Sequence, residues 1–129
     1  MAEEKITVGV LGLGIIGRRV AQNLRDKGWK TFVWNRTPQD HPDVLDSPGA
    51  VAAQARVLQI FVRDGDALLS VVDQMASQLG KGHVVLNHAT VSPEATSEAA
   101  LRVGNTGAAF LDCPFTGSRD AADQGKLNY

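Results

Sequence analysis

One short turn constrains this chain more than any other stretch, because its six residues follow the pattern G-x-G-x-x-G (residues 12–17). The near-continuous apolar run at residues 6–11 predicts a strand that is covered on both faces. After the turn, apolar residues repeat every fourth position up to Leu24 and predict an amphipathic helix that ends at Gly28. The turn therefore joins a buried strand to a helix, which is the first unit of a parallel βα arrangement.

The same alternation continues to the end of the chain. Further strands are predicted at residues 30–35, 56–62, 83–87 and 108–113, and helices are predicted from Ser47, over 64–80 and over 92–104. Strands separated by helices form right-handed βαβ crossovers and a parallel sheet. The predicted fold class is α/β: a doubly wound parallel sheet of the Rossmann type, in one dinucleotide-binding domain over residues 1–129.

Composition excludes several classes of partner. The chain has 13 basic and 14 acidic residues, a net charge of −1, whereas nucleic-acid sites need a basic excess. No apolar run approaches the roughly 20 residues of a membrane span. The polar first five residues do not resemble a secretory signal, so a cytoplasmic location is expected. The single cysteine, Cys113, leaves no cysteine cluster for a metal and is expected to be a buried apolar residue.

The glycine turn predicts a dinucleotide site because each glycine has a reason to lack a side chain. Gly12 allows the tight turn, Gly14 allows close approach to a pyrophosphate, and Gly17 allows the helix to pack near the strand. The start of the helix then offers free N–H groups to phosphates. The alternative is a turn without a ligand, which the entropic cost of three glycines in this register disfavours.

The end of the second predicted strand indicates which dinucleotide is bound. An NAD site needs an acidic side chain there for the ribose 2′-OH, and this chain has Asn35, Arg36 and Thr37 instead. All three can donate hydrogen bonds to a 2′-phosphate, and Arg36 can also stack on adenine. We therefore expect NADP(H) rather than NAD(H). A solvated Arg36 on a surface loop is the alternative.

Four ordered motifs resemble the β-hydroxyacid dehydrogenase family, which includes 6-phosphogluconate and 3-hydroxyisobutyrate dehydrogenases. The motifs are GLGIIGRRVAQNL, VWNRTP, NHATVSPE and DCPFTGSRDAADQGKL. Gly117 and Ser118, followed by Ala122 and Gly125, are most similar to the glyoxylate and succinic semialdehyde reductase branch. The resemblance implies an NADP-dependent oxidoreductase that transfers hydride between nicotinamide and a small hydroxy, oxo or semialdehyde acid.

The resemblance also implies a role for each matching residue. The pyrophosphate would be bound by Gly12, Leu13, Gly14, Ile15, Ile16 and Gly17. The 2′-phosphate would be bound by Asn35, Arg36 and Thr37. The adenosine ribose would lie near Val62, Arg63 and Asp64, and the nicotinamide ribose near Thr90. The carboxylate of a small carbonyl substrate would be held by Thr116, Gly117 and Ser118.

Part of the family pattern lies outside these residues. The family's general-acid lysine and its helical second domain, which closes the cleft and forms homo-oligomers, are expected beyond Tyr129. No catalytic residue and no metal site are therefore assigned, and this chain alone is expected to bind cofactor without turnover. Asn87, His88 and Ala89 replace the family's acid, methionine and serine. His88 is expected to be structural, and His41 and His83 have no partners that suggest a site.

Three alternatives remain open at this point. An imine reductase shares the glycine turn and the WNRTP segment, although the D-x-P-x-T-G-S segment argues against it. A non-catalytic cofactor-binding or assembly module would keep the fold without the reaction. A flavin- or other nucleotide-binding domain is the weakest of the three.

Overall fold

The computed structural model describes residues 6–37 and 43–114. Within these residues five strands alternate with four α-helices. In chain order they are β1 (Thr7–Leu11), α1 (Ile15–Asp26), β2 (Lys30–Trp34), α2 (Pro48–Gln54), β3 (Val57–Ile60), α3 (Gly65–Met75), β4 (Val84–Asn87), α4 (Pro93–Gly104) and β5 (Ala109–Asp112).

The five strands form one sheet in the order β2-β1-β3-β4-β5, and every neighbouring pair is parallel. From β1 the chain moves to β2 on one side and then crosses to β3 on the other side. The connections therefore diverge between β1 and β3, which makes this point the topological switch of a doubly wound sheet. The predicted fold class is confirmed.

Two apolar layers cover the sheet. Successive residues of β1 contribute to opposite layers: Leu11 packs into the larger cluster, with residues of α2, α3 and α4, and Val10 packs into the smaller cluster, with Ala21 of α1. Both Leu11 and Val10 are fully buried. Burial on both faces is the reason why β1 is a continuous apolar run rather than an alternating one.

The helices differ in how they begin. The side chains of Ser47, Asp64 and Ser92 accept hydrogen bonds from backbone N–H groups in the first turns of α2, α3 and α4, at 2.8–3.1 Å. Helix α1 begins at Ile15 after the N-cap residue Gly14, with no side-chain cap and no acidic residue in its first turn. Its first N–H groups are therefore left for another acceptor.

Two local expectations were wrong. The helix predicted over residues 64–80 ends at Met75 and continues as a 3₁₀ turn over Ala76–Gln78, although Leu79 is still buried. Cys113 was expected to be buried and is instead half-buried. It follows β5, which pairs with β4 alone among the described strands, so less of the protein covers it.

Candidate functional site

Two glycines of the turn after β1 are required by packing. Gly12 has φ of +107°, and a Cβ there would lie 1.9 Å from the carbonyl oxygen of Phe61, just after β3. A Cβ on Gly17 would lie 2.0 Å from the carbonyl oxygen of Gly12. Because backbone blocks both positions, the turn lies close to β3 and α1 lies close to the turn. These are the roles that the sequence predicts for Gly12 and Gly17.

Gly14 is different, since no described residue explains why it is a glycine. Its φ is −67°, a value that any residue adopts. A Cβ on Gly14 would meet no heavy atom of residues 6–37 and 43–114 within 4 Å. Gly14 is exposed and faces open space at the start of α1. A residue that could carry a side chain and lacks one leaves room for a ligand to approach the backbone.

A cavity of about 500 Å³ lies beside this turn, at the carboxyl ends of β1, β2 and β3. This is the switch point of the sheet, where doubly wound folds bind their ligands. The residues that line the cavity are Gly12, Gly14, Trp34, Asn35, Arg36, Thr37, Phe61, Val62, Arg63 and Ala67. The structure thus brings together two glycines of the turn, the three residues predicted to bind a 2′-phosphate, and two of the three predicted to lie near the adenosine ribose.

A second cavity of about 490 Å³ shares Trp34, Arg36, Val62 and Ala67 with the first. Its remaining lining residues are Asp64, Asp66, Ser70, Val71 and Gln74, from the start and one face of α3. The two cavities are therefore adjacent and form a cleft between the end of β2 and α3. Asp64 lines this second part, while its carboxylate also caps α3.

Two arginines give the first cavity its charge. Arg36, after β2, and Arg63, after β3, both line it and both are exposed. Across residues 6–37 and 43–114 no carboxylate lies within ion-pair distance of either guanidinium. Their positive charge is therefore available to an anionic ligand, for which a guanidinium is a strong hydrogen-bond donor.

The amide of Asn35 is held by the chain itself. Its Oδ1 accepts a hydrogen bond from the N–H of Leu13 at 2.7 Å, and its Nδ2 donates to the carbonyl of Thr37 at 2.7 Å. The first bond joins the end of β2 to the glycine turn. The predicted contact of Asn35 with a 2′-phosphate stays a prediction.

The remaining predicted residues lie apart from the cavities. Thr90 is exposed in the loop after β4, at the carboxyl edge of the sheet, but it lines neither cavity. Ile15 and Ile16 are in the first turn of α1, where Ile15 is 62% exposed. Thr116, Gly117 and Ser118 lie outside the described residues, as does His41.

His88 occupies a buried position among three strands. It is 2% exposed and stacks on Phe61 with ring centroids 4.8 Å apart. Its Nδ1 lies 2.8 Å from the carbonyl oxygen of Cys113, so Nδ1 carries the hydrogen, and its Nε2 lies 3.0 Å from Oε1 of Gln59. Burial lowers the pKa of His88 below 6.5, although the Cys113 carbonyl and the Asp112 carboxylate act in the opposite direction. A neutral ring accepts at Nε2, which the Gln59 amide satisfies when its N–H faces the ring.

Two other polar side chains are held by the protein itself, Asn87 at the carboxyl end of β4 and His83 just before its first residue. Asn87 is fully buried, and its Nδ2 donates to Asp112 Oδ1 at 2.9 Å and to the Ala89 carbonyl at 3.1 Å. The ring of His83 bonds to the backbone of Gly80 and Ala52. The rings of His83 and His88 thus both bond to other groups of the protein, and a structural role for His88 is what the sequence predicts.

Sequence reasoning missed three residues that line the first cavity, namely Trp34, Phe61 and Ala67. For Trp34 and Phe61, the sequence did contain a feature that could have predicted their place. Trp34 ends β2 and Phe61 follows β3, and the carboxyl ends of parallel strands meet at the edge where ligands bind. Ala67 had no such signal, because its place depends on how α3 packs beside the sheet.

In residues 6–37 and 43–114 no three His, Cys, Asp or Glu side chains are grouped so that they could hold a metal ion. No helix in these ranges is both long enough and apolar enough to span a bilayer.

A doubly wound sheet with a glycine turn at its switch point is the architecture of a dinucleotide-binding domain. Comparison with protein families agrees with this class. Residues 7–129 match the NAD binding domain of 6-phosphogluconate dehydrogenase, and the chain belongs to this family.

Two curated relatives show the extent of the match. The chain is 32% identical over 132 residues to glyoxylate/succinic semialdehyde reductase 1 of Arabidopsis thaliana, which covers 93% of this chain and 45% of the relative. It is 30% identical over 135 residues to the mitochondrial 3-hydroxyisobutyrate dehydrogenase of Homo sapiens, which covers 97% of this chain and 40% of the relative. The chain thus spans less than half the length of these relatives. Because this second relative is mitochondrial, the predicted cytoplasmic location is not confirmed.

Solved structures share the fold. A 3-hydroxyisobutyrate dehydrogenase from Mycobacterium tuberculosis with L-serine aligns with a TM-score of 0.89 at 20% identity, over 96% of this chain and 45% of that one. An imine reductase from Pseudomonas sp. aligns with a TM-score of 0.83 at 21% identity, over 92% and 44%. At these identities the likeness establishes the fold alone.

Proposed function

We propose that the chain is the NADP(H)-binding domain of an oxidoreductase that transfers hydride between nicotinamide and a small hydroxy, oxo or semialdehyde acid. The observation that carries this proposal is the position of the glycine turn. Backbone fills the space at Gly12 and Gly17, whereas Gly14 opens on a cavity that also contains Arg36 and Arg63. The names of the relatives, a semialdehyde reductase and a hydroxyacid dehydrogenase, support the substrate class.

The pyrophosphate of the cofactor is proposed to lie against the start of α1. This helix has neither a side-chain cap nor an acid in its first turn, so its N–H groups and its dipole are available to phosphate oxygens. Absence of a side chain at Gly14 permits the close approach. The other residues of the turn, Leu13, Ile15 and Ile16, would contribute backbone contacts.

Preference for NADP(H) over NAD(H) is proposed to come from Arg36. It follows Asn35 at the end of β2, where an NAD site has an acid. Without an ion-pair partner in the described residues, its guanidinium can bind a 2′-phosphate without giving up another contact. Arg63 lines the same cavity and adds a second positive charge. The hydroxyl group of Thr37 would donate a hydrogen bond to the 2′-phosphate.

The reaction itself is proposed from the family. Nicotinamide supplies or accepts the hydride when the cofactor is bound. Thr90 would contact its ribose, and Thr116, Gly117 and Ser118 would hold the substrate carboxylate through hydroxyl and N–H groups. The proton would come from a lysine that the resemblance places outside these 129 residues, so we propose that they bind cofactor without turnover. A homo-oligomeric parent protein is likewise a proposal from the resemblance.

Tryptophan fluorescence tests where the cofactor binds. Trp34 lines both cavities, whereas Trp29, which is 39% exposed, lies at the opposite end of β2. We expect NADPH to quench the fluorescence of the Trp29→Phe variant, in which Trp34 is the sole indole, more strongly than that of the matched Trp34→Phe variant. Titration of free N-acetyltryptophanamide corrects for light absorbed by NADPH. Equal responses of the two variants, or none at millimolar NADPH, would contradict the proposed site.

An imine reductase is the second candidate, because the Pseudomonas enzyme shares the fold. Assays with small carbonyl acids and with cyclic imines, run on the protein that contains this domain, separate the two reactions. Turnover of carbonyl acids alone supports the first proposal, and turnover of imines alone supports the second. Cofactor binding without either reaction would favour a non-catalytic module.

A further inference from the structure

Asn35 lies between two parts of the proposed cofactor site. It follows the last residue of β2 and lines the first cavity. Its Oδ1 accepts from the N–H of Leu13, in the middle of the glycine turn, at 2.7 Å. Its Nδ2 donates to the carbonyl of Thr37, two residues later, at 2.7 Å. Because one partner is an N–H and the other a carbonyl, the orientation of the amide is determined without ambiguity.

The bond to Leu13 is one of two adjacent bonds between the turn and β2. The N–H of Gly12 donates to the carbonyl of Trp34 at 2.8 Å, and the next N–H along the chain donates to Asn35. The side chain of Leu13 is 2% exposed, so the turn is anchored on both its apolar and its polar side. Loss of the Asn35 side chain would leave the Leu13 N–H without its acceptor and release the middle of the turn.

The bond to Thr37 shapes the other part of the site. A side chain that bonds to the backbone two residues later encloses the residue between them in a turn. That residue is Arg36, whose guanidinium is proposed to bind the 2′-phosphate. Asn35 therefore holds the position of Arg36 through Thr37 and the position of Gly14 through Leu13.

We infer that Asn35 is a positioning residue that ties the glycine turn to the Arg36 turn, so that it sets the affinity for NADH as well as for NADPH, whereas Arg36 acts on NADPH alone. This inference rests on the proposed cofactor site. It differs from a direct contact of Asn35 with the 2′-phosphate, which would affect NADPH and spare NADH.

The test compares dissociation constants of NADPH and NADH for the unaltered chain, Asn35→Ala, Asn35→Asp and Arg36→Ala. Loss of two hydrogen bonds should weaken the binding of both nucleotides in Asn35→Ala, by about tenfold or more for NADH and by at least as much for NADPH, because Arg36 also loses its anchor. Asn35→Asp keeps the acceptor for Leu13 and adds a negative charge, so it should weaken the binding of NADPH more than that of NADH. Arg36→Ala should weaken the binding of NADPH alone. Asn105→Ala, an exposed residue at the end of α4, is the matched control and should change neither constant.

Amide hydrogen exchange at Leu13 supplies an independent readout. Its protection should fall in Asn35→Ala and persist in Asn35→Asp and Arg36→Ala, whereas the whole chain should still unfold cooperatively, at a temperature lowered by about a few degrees in Asn35→Ala. A selective loss of NADPH affinity in Asn35→Ala, or no loss at all, would overturn the inference while leaving the proposed function intact. Failure of the unaltered chain to bind either nucleotide would remove the proposed function and this inference with it.

Discussion

At the residue scale, the three glycines of the turn have three different environments. Backbone of Phe61 closes the space at Gly12, backbone of the turn itself closes the space at Gly17, and Gly14 faces an open cavity. The first two could be predicted from the G-x-G-x-x-G pattern because a fold of this class always needs the turn and the close helix. The role proposed for Gly14 is to let a ligand approach the backbone, so its test is ligand binding.

Alanine substitutions separate these roles. Gly14→Ala should change the free energy of unfolding by no more than about 1 kcal/mol, because the new methyl group lies more than 4 Å from every other atom of the described part of the chain. It should nevertheless weaken NADPH binding by roughly tenfold or more, since the methyl group lies where the pyrophosphate approaches. Gly17→Ala is the matched control and should lower stability by roughly 1–3 kcal/mol through its contact with backbone. Denaturant unfolding and calorimetric titration measure both quantities, and normal NADPH binding by Gly14→Ala would exclude the proposed pyrophosphate position.

Asn35 shows what the residues alone could not predict. Its type and its place after β2 predicted a polar contact, and the structure gives it a partner 22 residues away. That partner is determined by the register between β1 and β2, which sets Leu11 opposite Trp34. Register depends on the packing of both strands, so it cannot be predicted from the sequence of either strand alone.

At the scale of elements, periodicity was a good guide to strands and helices and a poorer guide to their ends. All five predicted strands and all four predicted helices are present, with the strands one to three residues shorter than predicted. The error in α3 has a physical reason. Apolar residues continue to Leu79, which is buried, but the chain reaches it through a 3₁₀ turn rather than through further α-helix.

Polar side chains tie the carboxyl ends of β3, β4 and β5 together. His88 links Gln59 of β3 to the backbone of Cys113 after β5, and Asn87 links β4 to Asp112. Buried groups of this kind hold strands in one arrangement as long as every donor and acceptor is satisfied. A resemblance to a family with other residues at these positions could not predict this network, because each bond depends on both partners.

His88 should lower the free energy of unfolding as the pH decreases below neutral. Burial lowers its pKa in the folded state below 6.5, the value of an exposed histidine, so the unfolded state binds the proton more readily. The contribution of the neutral ring is fully present above pH 6.5 and is lost as the pH falls from there toward the folded-state pKa.

Urea unfolding between neutral and mildly acidic pH measures this effect. The unaltered chain should lose stability as the pH falls, and His88→Gln, which does not titrate, should lose less over the same range. Parallel curves for the two proteins would show that His88 does not carry the pH dependence.

At the scale of the whole molecule, the order of the strands creates the site. Placing β2 and β3 on opposite sides of β1 brings Asn35 and Arg36, after β2, and Phe61, Val62 and Arg63, after β3, to the turn that follows β1. Alternation of strands and helices predicted a doubly wound sheet, and this was enough to predict which edge would hold the site. The chain covers 45% and 40% of its two curated relatives, so the reaction is proposed for the protein that contains this domain.

Calorimetric titration of the unaltered chain with NADPH and with NADH, repeated with Arg36→Ala, tests the central claim most directly. One charge-assisted hydrogen bond contributes about 1.5–3 kcal/mol, so NADPH should bind roughly ten- to a hundredfold more tightly than NADH. Removal of the Arg36 guanidinium should bring the two dissociation constants close together. NADH binding as tight as that of NADPH, or a preference for NADPH that persists without Arg36, would contradict the account.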